Sequence, residues 1–119
     1  MKIIPTILIL LPLTISASQE PVVATNKCTE LFALKQPPPS YPVMATGEVV
    51  SGEVEISFVV NSQGLTENLT VTAFSSSNNS KEWEKAFALQ AMRAVKAWLY
   101  SPPGESCTTS ATLSFEPQN

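Results

Sequence analysis

The stretch EVEISFVV, Glu53 to Val60, constrains this chain more than any other. Val54, Ile56, Phe58 and Val60 alternate with Glu53, Glu55 and Ser57. An extended backbone gathers those four apolar residues on one face and the polar ones on the other. A helix would scatter them around its circumference. The stretch therefore predicts a strand in a sheet with one wet face, whose dry face needs a cover.

The following residues supply both a pairing partner and the cover. NSQG, Asn61 to Gly64, is turn chemistry, with Gly64 free to take a positive φ. A second strand is expected around 66–74, with Leu69, Val71 and Ala73 on one face and Asn68, Thr70 and Thr72 on the other. The short loop makes the pair antiparallel. A helix is then expected from Lys81 to Leu99, started by a capping box at Asn79 and Glu82, with Ser80 as the alternative cap. Its stripe of Trp83, Phe87, Ala91, Ala94, Val95 and Trp98 recurs at three- and four-residue spacing, wide enough to cover a sheet. Arg93 and Lys96 suit the negative end of its dipole.

Pro102, Pro103 and Gly104 stop that helix, and the residues before Pro102 are pushed toward extended geometry, which places Tyr100 beyond regular helix. A closing strand follows in TTSATLSFEP, with Ala111, Leu113 and Phe115 facing inward and Thr112 and Ser114 outward. Its polar side and Pro117 mark it as an edge. The expected fold is α+β: a small three-stranded antiparallel sheet with one long helix across it, in the order β-β-α-β. Tyr41, Val43, Met44 and Ala45, before the first strand, suit either a short helical turn or a packed loop.

The chain has 119 residues, room for one small domain. Lys2, an apolar core and the small residues Ser16, Ala17 and Ser18 have the layout of a secretory signal peptide. Its apolar run is about 15 residues, short of the ~20 that span a bilayer. The expected division is 1–18 signal peptide, 19–40 lead-in with Pro37 to Pro39, and 41–119 domain, which makes the protein an exported one after cleavage. The prolines favour a stiff, extended lead-in without a regular element. Cys28 and Cys107 are the two cysteines, and in an exported chain such a pair is best read as a disulfide.

Net charge is −3, which opposes a nucleic-acid partner. Histidine is absent, and with it the commonest general base and metal ligand. Glu53 and Glu55 form a conceivable carboxylate pair, but charged residues on a wet strand face account for them better. With no phosphate-cradling loop, metal cluster or cofactor motif in the sequence, the expectation is a non-enzyme without cofactor.

The order of these features resembles the C-terminal domain of TonB, over roughly Pro39 to Pro117, in a TonB/TolA-like periplasmic family. PSYP at Pro39 to Pro42 brings Tyr41 and Pro42, and GEVEISFVV brings Gly52. Gly64 is the turn glycine, Phe87 lies on the helix, and WLYSP brings Trp98, Tyr100 and Pro102. The resemblance implies a sheet edge that pairs with an extended segment of an outer-membrane or other envelope protein. By position that edge is Thr109, Ser110, Ala111, Thr112, Leu113, Ser114 and Phe115, with Tyr41 to Val50 beside it. For Leu113 and Phe115 plain folding explains the residue better than contact. A second copy pairing through the same edge, as a homodimer, is another option.

Full-length energy transducers of the family have an uncleaved membrane anchor, usually a functional His, and a long Pro-rich spacer. Here the start is signal-like and the proline run short: the ~22 residues before Tyr41 reach about 70 Å at most as polyproline II. The expected role is a stand-alone accessory in envelope transport or assembly. The alternative is a short transducer of outer-membrane transport that keeps its N-terminus in the inner membrane.

Overall fold

A computed structural model describes residues 26–117. The expected signal peptide, 1–18, lies outside the described residues, as does 19–25 of the lead-in.

The alternating stretch forms the central strand of a three-stranded antiparallel sheet. With β1 at Ala33–Lys35, this strand is β2, Gly52–Val60, and it lies between β3, Thr66–Ser76, and β5, Cys107–Phe115. Helix α1, Lys81–Lys96, crosses one face, and β4, Leu99–Tyr100, follows it. Val54, Ile56, Phe58 and Val60 are buried beneath α1, whereas Glu53 is exposed on the wet face, as the alternation requires. The α+β architecture follows the sequence pattern, with two short strands added.

Those short strands correct two expectations. β1 lies inside the lead-in, where no regular element was expected, and it pairs antiparallel with β4 in a separate two-stranded sheet. The helix stops at Lys96 rather than Leu99, because Leu99 and Tyr100 are claimed by β1 and by a bridge from Leu99 to Leu65. Residues 41–50 contain a turn at Ala45 and Thr46 and form a loop, so among the described residues no helix precedes β2.

Ser80, the alternative, is the N-cap: its hydroxyl accepts the Trp83 N–H at 3.3 Å. Asn79 instead takes a positive φ of 55° and gives its own N–H to the Ser76 carbonyl, so its backbone serves the preceding turn. A further correction concerns Ala73, expected on the same face as Leu69 and Val71. Glu55 pairs with Ala73 and Ile56 with Val71, so Thr72 is an extra residue and the phase of β3 flips. Ala73 is exposed on the Glu55 side, and Thr72 donates its hydroxyl to the Glu55 carboxylate at 2.7 Å.

The core has an aromatic cluster at each end of α1. Phe87 stacks on Phe115 with ring centroids 4.7 Å apart, flanked by Trp83 and Tyr41. At the other end Phe58 meets Trp98 edge-on at 6.1 Å and Tyr100 lies beside both. Such pairs add about 0.5–1.5 kcal/mol each beyond area burial. Trp98 lies just past the C-cap Ala97, so it joins the core from the helix exit and not as part of the helical stripe. Its indole N–H donates to the Pro37 carbonyl at 2.9 Å, fixing the proline run against the domain.

Gly64 sits where only glycine fits. Its φ is +89°, and an added Cβ would strike the Tyr100 carbonyl oxygen. The Tyr100 N–H donates to the Gly64 carbonyl at 2.9 Å, which locks the β2–β3 turn onto β4. Asn61 shapes that turn by accepting the N–H groups of Gln63 and Leu65 at 2.9 and 3.0 Å.

Candidate functional site

The sheet order leaves two edges, β3 and β5. The β5 side holds all the predicted edge residues. β5 pairs with β2 through nine consecutive residues, from Cys107 opposite Val60 to Phe115 opposite Gly52, without a register shift. The strand begins at Cys107, one residue before the TTSATLSFEP stretch.

The direction of its outward groups is fixed by one residue. Thr108 gives its N–H to the Asn26 carbonyl at 2.7 Å and accepts the Cys28 N–H at 3.0 Å, so its backbone faces away from β2. Alternation along an antiparallel ladder then turns the N–H and C=O of Ser110, Thr112 and Ser114 the same way. Among the described residues nothing pairs with those three, and all three are exposed. Ala111, Leu113 and Phe115 turn inward to the helix side: Leu113 and Phe115 are buried and Ala111 partly so. Thr109 is half-buried. The seven predicted residues thus divide into three with a free backbone edge and four turned back to β2.

Each end of the free stretch has a hollow. One, of about 310 Å³, is lined by Lys27, Cys28, Ser57 and Thr108 to Ser110. The other, of about 290 Å³, lies between Pro38, Pro39 and Tyr41 on one side and Ser114, Phe115 and Glu116 on the other. Tyr41 is held in place there by its hydroxyl, which donates to the Val50 carbonyl at 2.5 Å and accepts the Val50 N–H. Sequence reasoning placed Tyr41 near the edge but missed Pro38 and Pro39, whose position depends on the Trp98 bond to Pro37.

Most of the signature residues are packed into the domain. Pro42, Gly52, Gly64, Phe87, Trp98 and Tyr100 are buried and Pro102 is exposed. A Cβ on Gly52 would run into the Phe87 ring. Burial pushes the Tyr100 phenol above its usual pKa, partly opposed by the hydrogen bond from Gln36 at 3.3 Å. Cys28 and Cys107 are joined as a disulfide. Among the described residues no group of His, Cys or Glu is placed to hold a metal.

Comparison with known proteins bears on this arrangement. The family model described as Gram-negative bacterial TonB protein C-terminal matches residues 37–117. The chain belongs to the TonB C-terminal family. The match takes in Pro37 to Pro39, Tyr41, the whole sheet and α1, and leaves Cys28 and β1 outside. Among solved structures, the solution NMR structure of the Pseudomonas aeruginosa TonB C-terminal domain is similar in fold. It has a TM-score of 0.57 and 20% identity, covering 82% of this chain and 95% of that one. No curated protein sequence matches. Among the described residues no helix is long and apolar enough to cross a membrane.

Proposed function

We propose that this TonB C-terminal domain is a non-enzymatic periplasmic binding module, which takes up an extended segment of an outer-membrane or other envelope protein along β5. The observation that carries the reading is the unbroken register of β5 together with the outward backbone of Ser110, Thr112 and Ser114, which nothing among the described residues pairs. A fourth strand laid there completes the hydrogen bonds that the edge leaves open, and alternate side chains of the partner meet the two flanking hollows. The chain itself supports the mode, since its segment Asn26 to Cys28 already pairs with the edge at Thr108. Partner recognition then rests mostly on backbone, with selection by side chains beside Pro38, Pro39 and Tyr41.

The domain is proposed to comprise residues 41–119, preceded by the 19–40 lead-in and by a signal peptide at 1–18 that is removed on export. N-terminal sequencing of the exported protein checks this: a chain starting near Ser18 or Gln19 supports the accessory role, and an intact start supports the short transducer. Binding is tested by NMR titration with capped peptides from the N-terminal segments of outer-membrane receptors. Amide shifts at Ser110, Thr112 and Ser114 are expected. Shifts confined to other surfaces, or none with any envelope segment, would sink the edge-pairing reading. Light scattering at rising protein concentration separates a partner strand from a second copy on the same edge.

A further inference from the structure

The segment Asn26 to Cys28 is an isolated bridge to β5, parallel to it, and makes two backbone hydrogen bonds, both to Thr108. It then leaves the edge: Thr29 and Glu30 are exposed, and the chain next takes part in β1, paired with β4. Besides these bonds the segment has a contact at 3.5 Å from the Asn26 amide to the Glu105 carboxylate, on the surface. Two surface backbone bonds exchange readily with water and hold a segment weakly. What holds this one is covalent: Cys28 is bonded to Cys107, the residue next to Thr108.

From this placement we infer that the disulfide-held segment is a built-in stop on the binding edge. It occupies the outward groups of Thr108 permanently, and it confines any partner strand to the stretch from Ser110 to Ser114. The inference rests on the edge-pairing reading and adds its limit: the partner pairs through a short segment of about five residues. A longer strand gains nothing at its far end while the disulfide stands. The stop also fixes register, because a strand sliding toward Cys107 meets Lys27 and Cys28.

The test compares two capped peptides of alternating valine and threonine, one of five residues and one of seven, on the oxidised protein and on Cys28→Ser. Cys28→Ala/Cys107→Val, which refills the buried Cys107 site, is the second variant should the first not fold. Binding is followed by amide shifts along β5. The two peptides are expected to bind the oxidised protein equally. The heptapeptide is expected to gain about tenfold on the variant, through the two backbone bonds released at Thr108. In the oxidised protein the Thr108 amide should exchange with solvent more slowly than those of Ser110, Thr112 and Ser114, and the variant should lose that difference. An equal length advantage in both forms, or a Thr108 amide as fast as its neighbours in the oxidised protein, overturns the stop alone. If neither peptide binds either form, the edge-pairing reading falls and the stop with it.

Discussion

The two edges of the sheet are built from opposite rules. β3 has eleven residues and two register shifts against β2, one at Thr72 and one between Ser57 and Val59 on the β2 side. Asn68 lies in the second and takes a φ of 52°. Bulges twist and interrupt an edge, so that another strand finds no regular ladder to extend. β5 has nine residues, no shift, and outward groups that repeat evenly beyond Thr108. One edge is spoiled against pairing and the other is kept regular and merely stopped at its start. That difference supports pairing at β5 rather than at β3, and it does so without reference to any side-chain pocket.

The comparison can be broken or sharpened by substitution. Trp98→Ala should have the largest effect, a loss of about 3–5 kcal/mol as for other large core truncations. Read by urea unfolding and amide exchange, it should weaken both edges together; a loss confined to one would mean that the edges are not parts of one cooperative unit. Ala111→Pro removes an N–H directed at β2 and should cost about 3 kcal/mol, on the scale of a misplaced proline. Thr112→Pro removes an outward N–H instead, a position where an edge tolerates proline. It should melt within about 1 kcal/mol of the parent while peptide binding falls about tenfold, as expected for one lost backbone bond and its disturbed neighbours. Similar melting for the two prolines would refute the assigned direction of the β5 backbone.

On the opposite edge, Asn68→Ala should cost about 1 kcal/mol for the left-handed backbone that asparagine accepts more easily than alanine. It should leave peptide binding at β5 unchanged in the same titration. Deleting Thr72 should have the smallest effect on stability and a visible one on association. With its bulge gone, β3 presents a straighter edge, and light scattering should show concentration-dependent dimers that the parent lacks.

Much of this fold is written in local pattern. The alternation at 53–60 and the three- and four-residue stripe from Trp83 to Val95 each hold an orientation that tertiary packing only confirms. The β3 phase was legible up to Val71 and then lost, because a bulge is one extra residue and leaves no periodic trace. β1 was invisible for another reason: Ala33 to Lys35 have no pattern of their own and are exposed throughout, paired by the distant β4 alone. The edge could be located from the order of elements, since a strand after the helix with a polar outer face belongs outside. Which of its residues offer free backbone could not, because that parity is fixed by the contact of Thr108 with Asn26 and Cys28. The cysteine pair was the one sequence signal of that contact.

The cross-link also has a mechanical meaning. A pull on the chain from its N-terminal side reaches Cys28 and passes through the sulfur bridge straight into Cys107, without loading the 78 residues between them. β2, β3 and α1 hang off that path as a side loop. In the alternative of a short transducer that keeps its N-terminus in the inner membrane, tension would reach β5 along the strand itself, three residues from Ser110, in shear to a docked strand.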